Sequence, residues 1–495
     1  MSLINIQNLT FSYEGTYDNI FEDVSFQLDT DWKLGFTGRN GRGKTTFLNL
    51  LLGKYTYSGK ISASVNFEYF PYKVEDKSTV TIDIVEQIYP DYEYWQVAKE
   101  LSLLCVDEDV LYRPFETLSN GERTKVLLAV MFLKENSFLL IDEPTNHLDM
   151  QAREIVSRYL NGKKGFILVS HDRAFLDGCV DHILSINKTN IEIQQGNFSS
   201  WMANKELQDN FELAENAKLK KEIRRLTETA REKAQWSDVA DRRKVGIDPN
   251  KVDNKSGYRP MQAAKAEKLM KRSKAIEQRN ERAIEEKSKL LKNIETSEDL
   301  KITQEKYHTR QMLYAENLSI RYNGKTVFEN INFAVNKGDR VLLKGKNGSG
   351  KSSIIKLVTG EDIAYTGTFE KGAGLKISYV PQDVSNISGN LSDYAKQHNI
   401  DESLFKAILR KLDFSRIQFE KDMKSFSEGQ KKKVVIAKSL CEKAHLHIWD
   451  EPMNYIDVIS RMQIEKLLMD FEPAILFVEH DSTFCEKIAT KTIEL

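Results

Sequence analysis

The stretch GRNGRGKTT runs from Gly38 to Thr46, and a near copy, GKNGSGKSS, runs from Gly345 to Ser353. Both match the pattern G-x-x-x-x-G-K-[ST], in which glycines let backbone N–H groups close around nucleotide phosphates. Lys44 and Lys351 are predicted to reach the β- and γ-phosphates. Each stretch lies between a β-rich run and an apolar helical run, which disfavours a simple Gly-rich hairpin turn. The predicted nucleotide contacts are Gly38, Arg39, Asn40, Gly41, Arg42, Gly43, Lys44, Thr45, Thr46, Gly345, Lys346, Asn347, Gly348, Ser349, Gly350, Lys351, Ser352 and Ser353.

The two loops belong to a longer internal repeat. Predicted strands alternate with helices up to about residue 200 and again from residue 312 to the end. Tyr13 recurs as Tyr322, and Lys44 recurs as Lys351, at a nearly constant shift along the chain. A shift held over such a length predicts one fold used twice. We therefore expect an α/β protein with two P-loop domains, at residues 1–200 and 312–495.

Composition excludes several other classes of protein. No apolar run is long enough for a signal-peptide core or a membrane-spanning helix, so we expect a cytoplasmic protein without a membrane partner. The cysteines show no C-x-x-C spacing, which fits a reducing compartment and argues against a zinc site. Four buried or idle thiols are the favoured interpretation of Cys105, Cys179, Cys441 and Cys485.

Residues 201–311 differ in composition from both repeats and form the predicted interdomain linker. Residues 201–310 carry 27 Lys and Arg against 20 Asp and Glu, whereas the whole chain has a net charge of -1. Helical spacing up to about Arg243 and a seven-residue apolar seam from about Met261 to Ile294 predict an antiparallel coiled-coil hairpin. The Gly, Pro and Asn of residues 244–260 predict its turn. A disordered charged linker is the alternative.

The tip of this hairpin mixes cations with aromatic rings. Such a mixture suits RNA phosphates and stacking on exposed bases, although a solvated helix end would share its charge. The candidate RNA-binding residues are Trp236, Arg242, Arg243, Lys244, Lys251, Lys255, Tyr258 and Arg259.

An apolar strand in each repeat ends in carboxylates, in FLLIDEP (Phe138 to Pro144) and in LHIWDEP (Leu446 to Pro452). The first carboxylate is placed to hold Mg²⁺, and the second to orient and polarise an attacking water. The predicted Mg²⁺ ligands of this kind are Asp142 and Asp450, beside the loop hydroxyls of Thr45 and Ser352, and the predicted water-orienting residues are Glu143 and Glu451.

A histidine follows each acidic strand at the end of a further apolar strand. His171 lies in LVSHD and His480 in FVEHD, where an imidazole can contact a γ-phosphate. A single histidine would more often be structural, but two at matching positions favour a functional role.

Upstream of each acidic strand, LSNGE and FSEGQ each open a predicted helix. At this point the chain resembles the ATP-binding cassette family, whose signature is a similar loop and whose cassettes dimerise head to tail. The resemblance implies two ATP molecules at one interface, each held between the phosphate loop of one cassette and the signature of the other. The signature residues are Ser119, Gly121, Glu122, Ser427, Gly429 and Gln430, and Tyr13 and Tyr322 resemble the aromatic residue that stacks on adenine, although either could be a plain strand residue.

Departures from the family pattern fall unevenly between the cassettes. The family's glutamine that reaches Mg²⁺ corresponds to Gln382, whereas the matching position of the first cassette holds Tyr72. The loop PTNHLD of the first cassette becomes PMNYID in the second. We therefore expect two hydrolytic sites of unequal rate.

Two cassettes, a helical linker and no membrane span resemble the ABC-F branch, translation factors that bind the ribosome. The resemblance implies a monomer whose hairpin enters the tRNA exit site and points to the peptidyl transferase centre, near 23S rRNA and P-site tRNA. No arm is inserted in the first cassette and no extension follows the last strand, which is similar to the Lsa and Vga resistance group. That group protects ribosomes from lincosamides, pleuromutilins and streptogramin A. A housekeeping ABC-F factor and the ATPase of an exporter remain alternatives.

Overall fold

The computed structural model describes residues 2–13, 19–146, 148–187, 190–245, 305, 307–322 and 325–495, with backbone only at residues 187, 226, 229–245 and 325. Two compact units result. One comprises Met1–Trp201 together with Glu298–Leu495, and the other comprises Met202–Ser297. Both nucleotide-binding cassettes therefore belong to the same unit.

The first cassette has a main sheet of six strands and a smaller antiparallel sheet of three. The main sheet has the order β5-β6-β7-β3-β8-β9, parallel except for β9, and the small sheet has the order β2-β1-β4. The strands are β1 Leu3–Phe11, β2 Phe21–Asp29, β3 Lys33–Thr37, β4 Ser58–Ser62, β5 Asn66–Phe70, β6 Ser137–Asp142, β7 Phe166–Val169, β8 His182–Asn187 and β9 Asn190–Gln195. The helices are α1 Lys44–Leu51, α2 Thr81–Ile88, α3 Tyr94–Leu103, α4 Asn120–Met131, α5 Met150–Asn161 and α6 Arg173–Cys179.

The second cassette repeats this plan. Its parallel sheet has the order β14-β15-β16-β12-β17, and its antiparallel sheet has the order β11-β10-β13. The strands are β10 Gln311–Tyr322, β11 Lys325–Asn336, β12 Arg340–Lys344, β13 Tyr365–Lys371, β14 Ile377–Val380, β15 Leu446–Asp450, β16 Ile475–Val478 and β17 Lys491–Glu494. The helices are α8 Lys351–Thr359, α9 Leu391–Gln397, α10 Glu402–Lys411, α11 Glu428–Cys441, α12 Val458–Phe471 and α13 Ser482–Ile488. The predicted α/β fold with two tandem P-loop cassettes is thus confirmed.

The central strands are short apolar runs because both faces of a parallel sheet are covered by other elements. All four residues of β7, FILV, and all four of β16, ILFV, are buried. In β6 the run FLLI is buried and the strand then ends in Asp142. Since the carboxyl ends of parallel strands meet at one edge, β3, β6 and β7 bring the phosphate loop, the carboxylates and His171 together.

A helix of 48 residues, α7, runs from Phe198 to Val245. At 1.5 Å per residue it is about 70 Å long. Phe198 and Trp201 are buried at its first turn, and the Ser199 amide donates to Asp177 at 2.8 Å. The helix was predicted from about Trp201 to Arg243, so it starts slightly earlier and includes the first two residues of the predicted turn. The rest of that turn and the predicted second helix lie outside the described residues, so the hairpin remains a prediction. Among the described helices, none combines the length and the apolar composition needed to cross a membrane.

Candidate active sites

Each phosphate loop joins a buried strand to a helix that begins at its lysine. The last loop glycines, Gly43 and Gly350, have φ of 97° and 99°, a left-handed backbone that favours glycine. A Cβ at Gly43 would also lie 2.5 Å from Ile20, and one at Gly350 2.6 Å from Val327. Glycine is therefore required at both positions for the loop to turn into its helix.

The loop lysines are held over the loops by backbone carbonyls. Lys44 Nζ donates to the carbonyls of Gly38 at 2.7 Å and Arg39 at 3.2 Å. Lys351 Nζ donates to the carbonyls of Gly345 at 2.8 Å and Lys346 at 2.9 Å. Each ammonium group is therefore held close to its own phosphate loop, where it can bind a phosphate group.

The carboxylates follow their strands in an unusual backbone conformation. Asp142 accepts hydrogen bonds from Tyr69 at 3.0 Å and from Thr45 at 3.3 Å. The next residues, Glu143 and Glu451, have φ of 50° and 46°, and such positive φ in a residue other than glycine is typical of functional sites. Both cassettes keep this conformation, which turns the glutamate away from the direction of the strand.

The two glutamates differ in their polar partners. Glu143 Oε1 is 3.3 Å from His171 Nε2 without hydrogen-bond geometry, and it has no hydrogen-bond partner among the described residues. Glu451 lies 3.6 Å from His480 Nε2, and its Oε2 accepts from Gln382 at 2.7 Å and from Asn454 at 2.8 Å. The second glutamate is therefore fixed by amides, whereas the first has an unused acceptor.

The pKa values of these glutamates shift in opposite directions. Burial, with the neighbouring charge of Asp142, raises the pKa of Glu143 to about 8. Burial also acts to raise the pKa of Glu451, but His480 and the amides of Gln382 and Asn454 outweigh it and lower the pKa to about 2.

Burial also shifts the pKa values of the groups around the glutamates. It raises the pKa of Asp450 to about 6, with a further contribution from Glu451, and it raises the pKa of Asp142 above its usual range. Burial and the ammonium of Lys44 hold the pKa of His171 well below its usual value, so the ring is neutral at pH 7. Both sites thus concentrate buried carboxylates, a donor set that suits a divalent cation.

The first candidate site is assembled from both cassettes. Asn40 Nδ2 donates to the carbonyl of Tyr455 at 2.8 Å, and Arg39 pairs with Asp413 at 2.7 Å. A cavity of about 460 Å³ lies between the first phosphate loop and the second signature. The predicted site residues that line it are Tyr13, Asn40, Gly41, Gly43, Lys44, Thr45, Thr46, Asp142, Glu143, His171, Ser427 and Gly429.

A second cavity lies beside the second phosphate loop. A cavity of about 830 Å³ contains Gly345, Lys346 and His480 from the second cassette, and Asp149 and Ser157 from the first. Ser119 and Gly121 of the first signature do not line this cavity, and neither do the predicted second-site residues Lys351, Asp450 and Glu451. The structure therefore brings the first phosphate loop against the opposite signature, whereas the second loop meets the helix that follows PTNHLD.

The signature residues cap their helices in both cassettes. Ser119 accepts from the amide of Glu122 at 3.2 Å, and Ser427 accepts from the amide of Gln430 at 3.3 Å. In turn, the backbone amides of Ser119 and Ser427 donate to the side-chain oxygens of Glu122 and Gln430. These capping boxes fix the start of α4 and α11 and use the serine hydroxyls locally.

The two candidate adenine-stacking tyrosines lie beside the phosphate-loop helices. Tyr13 Oη is 2.8 Å from Thr46 Oγ1, and Tyr322 donates to Ser353 Oγ at 3.3 Å. Both rings are partly exposed, with 41% and 45% of their surface accessible. Tyr322 ends strand β10, so its position also fits an ordinary strand residue.

The candidate RNA-binding residues have no described side chains. Trp236, Arg242, Arg243 and Lys244 lie on the described backbone of α7. The remaining candidates, Lys251, Lys255, Tyr258 and Arg259, lie outside the described residues.

Three contacts of the sites were not predicted from the sequence, although Asn454 and Tyr455 lie in PMNYID and Tyr69 lies in YFPY. Tyr69 donates a hydrogen bond to Asp142, and Asn454 donates one to Glu451. The backbone carbonyl of Tyr455 accepts a hydrogen bond from Asn40. Tyr69 precedes the position of Tyr72 in YFPY, so a comparison of that stretch with YVPQ could have drawn attention to it. A contact through a backbone carbonyl leaves no signal in the side-chain sequence.

Comparison with known proteins agrees with this geometry. The family described as ABC transporter matches residues 21–146 and 328–454, which is more than half of the chain. The chain belongs to this family. It is accordingly an ATPase that uses ATP with Mg²⁺, and its two cassettes and whole-chain relatives support the ABC-F branch.

Relatives match almost the whole chain. The ribosome protection protein VmlR of Bacillus subtilis is 27% identical over 96% of this chain and 84% of its own length. The uncharacterized ABC transporter ATP-binding protein YkpA of the same species is 26% identical over 100% of this chain and 94% of its own length. The ATP-binding protein Uup of Buchnera aphidicola is 28% identical over 99% of this chain and 80% of its own length.

Solved structures share the fold at lower identity. The archaeal ribosome recycling factor aABCE1, in complex with the ribosomal stalk protein aP1, has a TM-score of 0.63 and 18% identity over 98% of this chain and 87% of its own. The structure named RNase-L Inhibitor has a TM-score of 0.61 and 18% identity over 99% of this chain and 87% of its own.

The residues present fit the nucleotide and its metal ion. A bound Mg²⁺ ion would neutralise phosphate charge, and Thr45 with Asp142, or Ser352 with Asp450 and Gln382, would hold it through oxygen atoms, the ligands it prefers. Among the residues that the structure describes, Oε1 of Glu143 and Nε2 of His480 are buried without a hydrogen-bond partner, so each can form a hydrogen bond with a ligand or water. A glutamate oxygen in that position can accept the proton of a water molecule.

Proposed function

We propose that this ATPase hydrolyses ATP at two composite sites between its cassettes. The first combines Lys44, Asp142, Glu143 and His171 with the signature of the second cassette, Ser427 to Gln430. The second combines Lys351, Asp450, Glu451 and His480 with the signature of the first, Ser119 to Glu122. The glutamates orient the attacking water, and the lysines and histidines bind the transferred phosphate. The cavity shared by Lys44, Glu143 and Gly429 supports this assignment for the first site.

The proposed partner is the bacterial ribosome. The observation that carries this proposal is the similarity to ribosome protection protein VmlR, which spans 96% of the chain and so includes the linker as well as the cassettes. The linker has the basic surplus that a polyanion attracts, and its helix α7 is 48 residues long. The aromatic and basic residues of the linker tip are the proposed contacts with 23S rRNA and P-site tRNA.

The proposed activity is protection of the ribosome from lincosamides, pleuromutilins and streptogramin A. In this mechanism the ATP-bound protein enters the tRNA exit site and places residues 244–260 near the peptidyl transferase centre. ATP hydrolysis then releases it. This mechanism needs both closure of the cassettes on ATP and insertion of the linker. A protein that lacks the linker, or one that cannot bind ATP, should therefore not protect the ribosome.

Replacing residues 244–260 by a short Gly/Ser turn tests this mechanism. The cassettes bury their cores elsewhere, so we expect the variant to fold, to hydrolyse ATP and to pellet with ribosomes, but to give no resistance. Minimum inhibitory concentrations of a lincosamide and a pleuromutilin are compared for intact and shortened protein at equal expression. Unchanged resistance with the shortened linker would contradict a role for the tip.

A ribosome-bound ATPase without a drug phenotype is the second candidate. It is favoured by relatives such as Uup and YkpA, which are as similar as VmlR and whose names carry no protection activity. Ribosome pelleting in the presence of ATP together with unchanged drug susceptibility would select it. Co-purification with a membrane protein instead of ribosomes would favour the ATPase of an exporter.

A further inference from the structure

A buried ion pair joins the two cassettes on one side of their interface. Arg173, the first residue of α6, donates through both terminal nitrogens to the carboxylate of Glu465 in α12, with Nη1 at 3.1 Å from Oε2. Arg173 is 6% exposed and Glu465 is 4% exposed. Bidentate pairing with the planar guanidinium fixes orientation as well as distance.

Each residue of this pair is close in sequence to a loop of the first composite site. Arg173 follows His171 by two residues, and Asp172 between them caps α6. Glu465 lies on α12, which begins just after PMNYID, the loop whose Tyr455 carbonyl accepts from Asn40 of the first phosphate loop. Neither residue lines the first cavity, and Asp172, Ala174 and Phe175 beside Arg173 line the cavity next to the second phosphate loop. The repeat relation between the cassettes is what assigns the pair to the side of the first site.

The repeat places serines at the matching positions of the second site. The shift that relates His171 to His480 relates Arg173 to Ser482, which is likewise the first residue after a capping aspartate. Glu465 stands eight residues after the capping Asp457, and Ser157 stands eight residues after the capping Asp149. The two serines line the cavity of about 830 Å³ beside the second phosphate loop.

The energetics of the two sides therefore differ. Separating the cassettes at the first site would leave an arginine and a glutamate without each other, and a buried charge that loses its partner is costly. Within the second cassette, Lys487 is 3.5 Å from Glu465 and replaces only part of that interaction. At the second site two small hydroxyls face a cavity, so separation there breaks no ion pair between these positions.

We propose that Arg173 and Glu465 are a positioning pair that keeps the first composite site closed and confines opening of the cassettes to the second. The inference deepens the proposed ATPase mechanism and rests on its assignment of composite sites. It adds that the first site stays closed while the cassettes open and close at the second. The pair acts on ATP through the loop of His171 and the loop of Tyr455, and neither residue contacts the nucleotide itself.

The double variant Arg173→Ser, Glu465→Ser tests this proposal because it copies the chemistry of the second side and removes both members of the buried pair. It leaves only Lys487, which is half-exposed, without the carboxylate of Glu465. It is measured in the Glu451→Gln background, in which only the first site is proposed to hydrolyse ATP. We expect KM for ATP to rise about tenfold, within the range of site-to-site couplings, while kcat changes by less than about threefold. The charge-reversed pair Arg173→Glu, Glu465→Arg, made together with Lys487→Ala so that the new arginine faces no like charge, should restore KM, which a merely structural defect would not do.

Hydrogen exchange without nucleotide gives a readout independent of hydrolysis. In the serine double variant, exchange in residues 173–179 should rise about tenfold, with residues 482–488 unchanged. The converse variant, Ser157→Glu with Ser482→Arg, should slow exchange in residues 482–488 and lower KM of the second site in the Glu143→Gln background.

The two readouts separate this inference from the proposed function. Unaltered exchange in residues 173–179 of the serine double variant would overturn the positioning pair, whatever the rate of hydrolysis. An inactive Glu451→Gln background with the expected exchange changes would support the pair and overturn hydrolysis at the first site instead.

Discussion

At the scale of single residues, Glu143 and Glu451 share a backbone conformation but differ in their surroundings. Both have positive φ, and each directly follows the aspartate that ends a parallel strand. Glu451 accepts from two amides, whereas Glu143 Oε1 is left without a partner among the described residues. The glutamate of the second cassette is therefore held in place by hydrogen bonds, whereas that of the first is not preorganised in this way.

Replacing both glutamates by glutamine should nearly stop hydrolysis while ATP still binds. The loops and Mg²⁺ ligands are unchanged, but a carboxamide cannot accept the proton of the attacking water, a contribution of about 10² to 10⁴ in rate. ATPase assays and nucleotide-binding titrations check this, and ribosome pelleting should show the variant retained with ATP. Turnover at the wild-type rate would overturn the assignment of both glutamates.

Gly429 lies close to Tyr455 of its own cassette and to Asn40 of the opposite one. A Cβ added there would lie 2.3 Å from the carbonyl oxygen of Tyr455 and 3.1 Å from Asn40, whereas one at Gly121 would lie 3.7 Å from Leu148. We expect Gly429→Ala to weaken closure of the first site by about 1–3 kcal/mol, the usual cost of overpacking. Gly121→Ala is the matched control.

The test compares the ATP affinity and the thermal stability of the two alanine variants. Equal losses for Gly429→Ala and Gly121→Ala would show that the close approach at Tyr455 has no energetic consequence.

At the scale of elements, α7 connects a buried first turn to a charged helix. Phe198 and Trp201 anchor its start, and polar and charged residues dominate beyond Met202, with Leu207 and Phe211 about 70% exposed. In a helix with little apolar surface to bury, i,i+4 pairs such as Arg224 with Glu228 at 2.9 Å add modest stability. Its predicted partner helix would cover the exposed apolar residues.

Reversing the charge at Arg242, Arg243 and Lys244 should weaken ribosome binding and reduce its dependence on salt. Removing one contact with a phosphate lowers the slope of log affinity against log salt by about one, since fewer counterions are released on binding. Pelleting assays across a range of potassium concentrations measure this slope. The same reversal at Lys218, Lys220 and Lys221, nearer the start of the helix, is the control, and an equal effect there would argue against a specific role for the tip.

At the scale of the whole molecule, the two cassette interfaces differ although the cassettes share a fold. The first interface holds the Arg173–Glu465 pair, the Arg39–Asp413 pair and the contact between Asn40 and Tyr455. The second has a cavity of about 830 Å³ lined by Ser157 and Ser482. Pseudosymmetry of the fold therefore coexists with asymmetry of the contacts.

The single variants Glu143→Gln and Glu451→Gln should consequently differ in residual ATPase rate and in retention on ribosomes. The reason is that each leaves one site active, and those sites have different closure and different partners for the glutamate. Steady-state rates and pelleting with ATP measure both properties. Identical behaviour of the two single variants would mean that the differences at Tyr72 and PMNYID are silent.

The sequence by itself determined the class of fold and the repeated chemistry of the two cassettes. The phosphate loops, acidic strands and signatures are local patterns whose spacing follows from strand, turn and helix geometry, so they can be read without coordinates. Ser119 and Ser427 cap the helices that the motifs predicted, and Asp142 and Asp450 end the buried strands.

Only the tertiary structure decided how the cassettes meet. Arg173 and Glu465 are separated by 292 residues, and each lies in a helix where a charged residue is unremarkable in sequence. The hydrogen bond from Asn40 to Tyr455 uses a backbone carbonyl, which every residue possesses. Such contacts depend on the packing of two folded domains, and packing is set by the sum of many surface contacts that no local pattern encodes.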